Sequence, residues 1–323
     1  MQLQAQLTEL TKGQLFEGYL RVAASEQRTS SNGGKYLDMT LADVSGELNA
    51  KLWDGTVAPP PAASIIKVRA LLQEYNNRPQ LRIDKYRLSD ENDDIDMAML
   101  VPCAPLPPQD MLDMLLNRAD AIADRELKSL VLMRLEQAGE RIMLFPAALR
   151  LHHAERSGLL NHTSTMLRAA EALAPIYPQL DADLLAAGII LHDLSKLEEM
   201  NADDYGLATE YTVSGQLLGH ITMGVSALHD AAQTLGVRRE LAQMLEHMLL
   251  SHHDLAEYGS PKRPMFPEAE MLHLLDLMDA RMYEMGHALA QIKPGEFTER
   301  IWSLERRLYR RLLDGVTITS DEV

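Results

Sequence analysis

The chain of 323 residues has a single cysteine, Cys103, so it can form no internal disulfide and no zinc site built on several thiolates. Long apolar runs are also missing. The longest, Leu184 to Leu191, is far below the roughly 18–20 residues needed to cross a bilayer. The start MQLQAQLTELTKG lacks the basic stretch and apolar stretch of an export signal, so the expected location is the cytoplasm, with no membrane partner. Neither a G-x-S-x-G elbow nor a Gly-rich phosphate loop ending in Lys-Ser or Lys-Thr occurs. Histidine is absent from the first 151 residues, and all 11 lie between His152 and His287. The chemistry of the chain is therefore partitioned.

A composition of 46% apolar and 24% charged residues is that of a folded globular protein, and the length favours two domains. Charge divides in the same way as histidine. Residues 1–90 carry 11 Lys+Arg against 10 Asp+Glu, which leaves 20 basic and 37 acidic residues for positions 91–323. Residues 1–90 thus balance at +1 and the second part at -17, which together give the chain's net -16.

From Gln14 to Leu88, apolar positions alternate in QLFEGYLRVAAS, KYLDMTLADVSG, ELNAKLWDG, SIIKVRALLQEY and PQLRIDKYRLS, broken by NGG, SG, DG and NNRP turn signals. Five short strands at this spacing predict a small closed barrel of the OB-fold type over residues 1–88, an architecture that binds single-stranded oligonucleotides. Tyr19, Lys35, Tyr36, Lys51, Trp53, Tyr75, Arg78, Arg82 and Lys85 supply stacking rings and phosphate-attracting charges for such a strand. Stacking and phosphate contacts do not read the 2′-OH, so single-stranded RNA and single-stranded DNA both remain open as partners.

Residues 89–110, with acid clusters followed by prolines, suit neither a strand nor a helix interior and are expected to form a linker. Beyond it helical periodicity dominates 111–315, with a tail at 316–323; the expected fold is an OB-fold β-barrel followed by an all-α domain. The last helix expected is FTERIWSLERRLYRRLL. His162, the pair His192-Asp193, His220, the pair His252-His253 and Asp279 recur on successive helices or at their ends, while His229, His247, His273 and His287 read as packing or surface residues. The His-Asp pair closes the apolar run AAGIILHD, and burying that carboxylate without a cation would cost several kcal/mol. A metal ion on His162, His192, Asp193 and Asp279 answers the need, with Asp193 bridging to a second ion on His220 and His252 or His253. Imidazole and carboxylate ligands suit manganese, iron, zinc or nickel. Two such ions about 3.5–4 Å apart activate water for in-line displacement at phosphorus. Lys196, three and four residues beyond Asp193 and His192, shares their face and can meet a phosphate oxygen or the leaving oxygen; Arg281 follows Asp279 at i+2, off its face, and is the other candidate for a catalytic phosphate contact.

The motifs NHTSTMLR, AGIILHDLSK, GQLLGHITMG, LSHHDLAEYGSPKRPM, LLDLMDARM and KPGEFTER resemble those of HD-domain phosphohydrolases, and specifically the bacterial YhaM-type 3′-to-5′ exoribonucleases. The likeness covers nearly the whole chain. It implies an OB-fold joined to an HD domain, hydrolysis of single-stranded RNA from its 3′ end, and manganese as the favoured metal. It also implies a phosphate contact for Lys196, by likeness to catalytic lysines after HD, and a substrate contact for His152 and His153. The competing expectations are a phosphodiesterase of small nucleotides with a regulatory barrel, and a single-strand-binding factor without catalysis. Whether the chain forms a homo-oligomer is not legible.

Overall fold

Period-two alternation builds a closed barrel first. In the computed structural model, which describes residues 4–312, the strands are β1 (Leu15–Thr29), β2 (Lys35–Asp43), β3 (Gly46–Leu52), β4 (Ile65–Tyr75) and β5 (Arg78–Leu88). They close in the order β1-β2-β3-β5-β4, with β3 and β5 parallel and the other pairs antiparallel. This is OB-fold topology, and closure leaves no free sheet edge. Phe16, Leu20, Leu37, Met39, Leu41, Ile66, Val68 and Leu81 fill its interior. Asn76 and Asn77, both at positive φ (51° and 57°), form the two-residue turn between β4 and β5 and put Tyr75 opposite Arg78. Asn tolerates the left-handed conformation that such a hairpin turn demands.

The chain separates after Cys103 into two compact units. Within the first, the segment after β5 returns to the barrel: Met99 accepts a hydrogen bond from Val44 N at 3.0 Å, and Leu100 and Val101 are buried. The second unit contains α1 (Pro108–Asp120), α2 (Arg125–Ala138), α3 (Gly158–Leu173), α4 (Ala182–Leu191), α5 (Lys196–Glu199), α6 (Val213–Leu235), α7 (Arg239–Ser251) and α8 (Pro267–Ala290). Asp181 caps α4 through its side chain, and every residue from Leu184 to Leu191 is buried. A helix apolar on all sides belongs at the centre of a bundle, and α4 packs on α2, α3, α7 and α8. It therefore delivers the His192-Asp193 pair to the interior.

Two local expectations of the helical reading are corrected. A hairpin of β6 (Met200–Ala202) and β7 (Ala208–Tyr211) lies between α5 and α6, so the unit is helical but not purely so; Asp203 and Gly206, at φ 81°, form its turn. FTERIWSLERRLYRRLL is not a helix over its described residues. It folds back on itself through bridges Phe297–Tyr309 and Ile301–Arg306. A helix of this length needs an apolar face docked on a partner, and here Trp302 is 87% exposed while Leu308 is buried. The tail expected at 316–323 lies outside the described residues. Among the described residues no helix is long and apolar enough to cross a membrane.

Candidate metal centre

Five imidazoles from four parts of the helical unit converge, each with its Nδ1 held by an acceptor. His192 caps the C-terminus of α4 and donates Nδ1–H to the carbonyl of Ile189 at 2.8 Å. His252 does the same at the end of α7, donating to Leu249 at 2.7 Å. His253 donates to Tyr258 O at 2.7 Å. A carbonyl can only accept, so these three rings carry their proton on Nδ1 and present an Nε2 lone pair. His162 on α3 and His220 on α6 meet carboxylates instead, Asp279 at 2.7 Å and Glu199 at 3.0 Å.

The opposite nitrogens crowd around Asp193. Its Oδ2 lies 3.2 Å from His192 Nε2, 3.8 Å from His162 Nε2 and 2.7 Å from Lys196 Nζ. Its Oδ1 lies 3.4 Å from His220 Nε2 and 3.9 Å from His252 Nε2. Among the described residues seven buried side-chain polar atoms lack a hydrogen-bond partner, and five of them are here: Nε2 of His162, His192, His220 and His252, and Oδ1 of Asp193. Leaving a buried acceptor unpaired costs about 1–3 kcal/mol each, so such a concentration in one place calls for a cation. Three-residue donor sets His162/His192/Asp193 and His220/His252/His253 each bring their ligand atoms within 4.8 Å of one another. Two imidazoles with a carboxylate, and three imidazoles, are ordinary ligand sets for divalent transition metals. The C-termini of α4 and α7 add the negative ends of two helix dipoles.

The electrostatics agree. Burial would raise the Asp193 carboxyl, yet His192 and Lys196 beside it hold it well below the usual carboxylate range. Lys196, which burial would lower, is instead raised by Asp193. Burial pushes His252 well below the ordinary imidazole value, lowers His253, and with Lys196 nearby takes His152 down to about 3. These rings are neutral, as metal donors must be. His162 runs the other way: against its burial, Asp276 and Asp279 raise it to about 10. With a carboxylate on each side of the ring, a positive charge at Nε2 is favoured.

Asp276 is the residue that the sequence reading missed. Its Oδ1 lies 3.3 Å from His162 Nε2 and its Oδ2 lies 3.8 Å from His253 Nε2, so it faces both groups of donors. Asp279, expected beside His192 and Asp193, stands instead on the Nδ1 side of His162 and also takes His153 Nε2 at 2.8 Å. The two are one helical turn apart in LLDLMD, and that i, i+3 pairing on one face was the available signal. His153, expected at substrate, is 3% exposed and locked in a network with Asn161 and Glu155, whose other oxygen accepts from Tyr283 at 2.8 Å. Arg281 is exposed on α8; two residues past Asp279 it points off the face that carries the carboxylates. His152 does lie beside the cluster, 5.8 Å from His162 between ring centres.

On the barrel, Trp53 and Tyr75 are each 58% exposed, and Lys51 Nζ lies 5.9 and 5.6 Å from their ring centres. Tyr36 is the buried shelf beneath Trp53, stacked at 4.8 Å. Lys51, Tyr75 and Arg78, with Asn49 and Gln80, line a groove of about 790 Å³. Arg82 stands opposite Lys51 in the parallel β3–β5 register, and Lys35 is exposed at the start of β2. Tyr19 does not join them: its hydroxyl donates to Asp93, itself paired with Arg87, and Lys67 covers its ring.

Comparison with known proteins adds an independent line. Residues 159–281 match the HD domain family. The chain is similar to the 3′-5′ exoribonuclease YhaM of Bacillus subtilis, 39% identical over 303 residues that cover 92% of this chain and 95% of that protein. It is similar to the YhaM of a Geobacillus species at 38% over 310 residues, covering 94% of each. Among solved structures, the second OB-fold domain of replication protein A from Methanococcus maripaludis aligns at 14% identity and TM-score 0.23, over 29% of this chain and all of that one; the barrel assignment rests on the strand pairing above.

Proposed function

Because the chain belongs to the YhaM family of 3′-5′ exoribonucleases, we propose that it removes nucleotides from the 3′ end of single-stranded RNA by metal-dependent hydrolysis in its HD domain. The observation that carries the reading is the set of inward-facing imidazole nitrogens and the Asp193 oxygen that lack protein partners. His162, His192, Asp193 and Asp276 would hold one ion, and His220, His252 and His253, with Asp193 between the sets, the other. When bound, the ions supply Lewis acidity and lower the pKa of water, which is what phosphodiester hydrolysis without a nucleophilic side chain requires. Imidazole and carboxylate donors without a thiolate admit manganese, iron, zinc or nickel; manganese, which the family likeness favours, is the metal to supply first.

The chain's own side chains have distinct tasks in this reading. Asp193, with the Lys196 ammonium at 2.7 Å, stays ionised between the two donor sets. Lys196, held at 2.7 Å by Asp193, keeps its ammonium at the edge of the cluster, where it attracts a phosphate oxygen and offsets charge on the leaving oxygen. His152 is neutral and close enough to border the scissile phosphate. Asp279, fixed by His153, holds the His162 ring in the orientation that turns Nε2 inward. On the barrel, Trp53 and Tyr75 offer faces for bases, and Lys51, Arg78 and Arg82 attract phosphates. The acidic second part repels a polyanion beyond short range, so capture falls to the near-neutral barrel.

A time course on 5′-labelled single-stranded RNA and DNA, with manganese and with chelator, tests polarity, sugar preference and metal need together. A ladder shortening from the 3′ end, on RNA, only with metal, is the expected result. Release of nucleotides unaffected by chelator would overturn it.

A further inference from the structure

Four of the inward-facing rings take their orientation from a backbone carbonyl or from the Asp279–His153 network; His220 is oriented by an element of its own. From the juxtaposition of Glu199 with the break in α6, we infer that Glu199 is the positioning residue of His220, setting both where its ring stands and which nitrogen faces the second ion. The inference rests on the proposed reading that His220 meets that ion.

The local geometry is specific. Helical dihedrals fail at Gly219 (φ 70°, ψ 156°), a conformation open essentially to glycine alone. A break in a helix parts the N–H groups after it from the carbonyls a turn before. Glu199 Oε1 meets this gap, accepting from the His220 backbone N–H at 2.9 Å and from its Nδ1 at 3.0 Å. One carboxylate oxygen thus holds the residue by its main chain and its ring at once, and the Nδ1 bond turns Nε2 toward Asp193 Oδ1 at 3.4 Å.

Glu199 is itself held. Its carbonyl accepts from Thr212 N at 2.9 Å, and Thr212 Oγ1 in turn caps α6 by accepting from Gly215 N at 2.9 Å. A Cβ on Gly215 would stand 2.0 Å from that same carbonyl, so the start of α6 sits directly on the Glu199 backbone. Asp193, Lys196 and Glu199 follow at three-residue spacing, so one short segment supplies a shared carboxylate, an ammonium and the anchor of the second donor set. A carboxylate on the far nitrogen of a ligating imidazole fixes its tautomer and raises its basicity, and removing one typically costs about 10–100-fold in metal affinity.

The test is equilibrium Mn²⁺ binding, followed by the electron paramagnetic resonance of free Mn²⁺, on the full chain, Glu199→Gln, His220→Ala and the double variant, with Glu198→Gln as control. Glu199→Gln keeps an acceptor for the backbone N–H but loses the charge. It is expected to melt with the parent and to bind one of two ions about 10–100-fold more weakly. The double variant is expected to bind as His220→Ala alone, because Glu199 acts only through that ring. Glu198→Gln should match the parent. Parental Mn²⁺ binding by Glu199→Gln, or additive losses in the double variant, overturns the inference while leaving the function standing. Parental binding by His220→Ala removes His220 from the metal centre and the inference with it. Should Glu199→Gln not fold, Glu199→Asp, which keeps the charge but shortens the reach, takes its place in the same cycle.

Discussion

Asp276 and Asp279 are the same side chain one turn apart, and the protein uses them differently. Asp276 faces the Nε2 atoms of His162 and His253, whereas Asp279 grips His162 from behind together with His153. Asp276→Asn is therefore expected to lose an ion, and Asp279→Asn to retain both at about 10–100-fold lower affinity, as read by metal content after gel filtration and by Mn²⁺ titration. Asp193→Ala should lose metal and exonuclease activity together, since it stands between the two donor sets; retained metal-dependent turnover would remove it from the centre. On the barrel, Trp53→Ala should weaken binding of a short RNA by about 1–3 kcal/mol with little change in salt dependence, and Arg78→Ala should lower the salt slope, as measured by fluorescence anisotropy across ionic strengths.

Elements decide how accurately those residues are held. α4 carries no polar face and is buried from Leu184 to Leu191, so its C-terminal His-Asp pair has little freedom to move. Leu185→Ala is expected to cost about 2–5 kcal/mol of stability. The loop before α3 is equally tight: a Cβ on Gly158 would meet the His153 carbonyl at 2.0 Å, and backbone cannot yield as a side chain can. Gly158→Ala should destabilise by about 1–3 kcal/mol in thermal or urea denaturation and disturb the His153–Asp279 link. Legibility in the sequence followed the same physics. Strands with one buried face and helices with a docked stripe announce themselves by period, while residues 297–312 have helical spacing but bury chiefly Leu308, so the pattern predicted an element that packing did not support.

At the scale of the molecule, one chain joins a near-neutral barrel to a strongly acidic helical part. Binding and hydrolysis are expected to separate. A chain from Ala104 onward should hydrolyse an activated small phosphodiester at close to the full-length rate, while its turnover of long RNA falls by about tenfold or more, the worth of even one lost stacking contact. Equal losses on both substrates would contradict this division of labour. The steady fall of RNA affinity with added salt should accordingly disappear with the barrel.

Residue type and period were enough to determine a five-stranded barrel followed by a helical domain and the ordered series of histidines and aspartates; the resemblance of the motifs that carry that series added the HD family. Those features are local or combinatorial, and a linear chain records them directly. Which of two neighbouring carboxylates faces inward, that His153 is a buried brace and that Glu199 reaches His220 were decided only in three dimensions. Each depends on the rotation of one helix against another, and side chains distant along the chain set that rotation by how they pack.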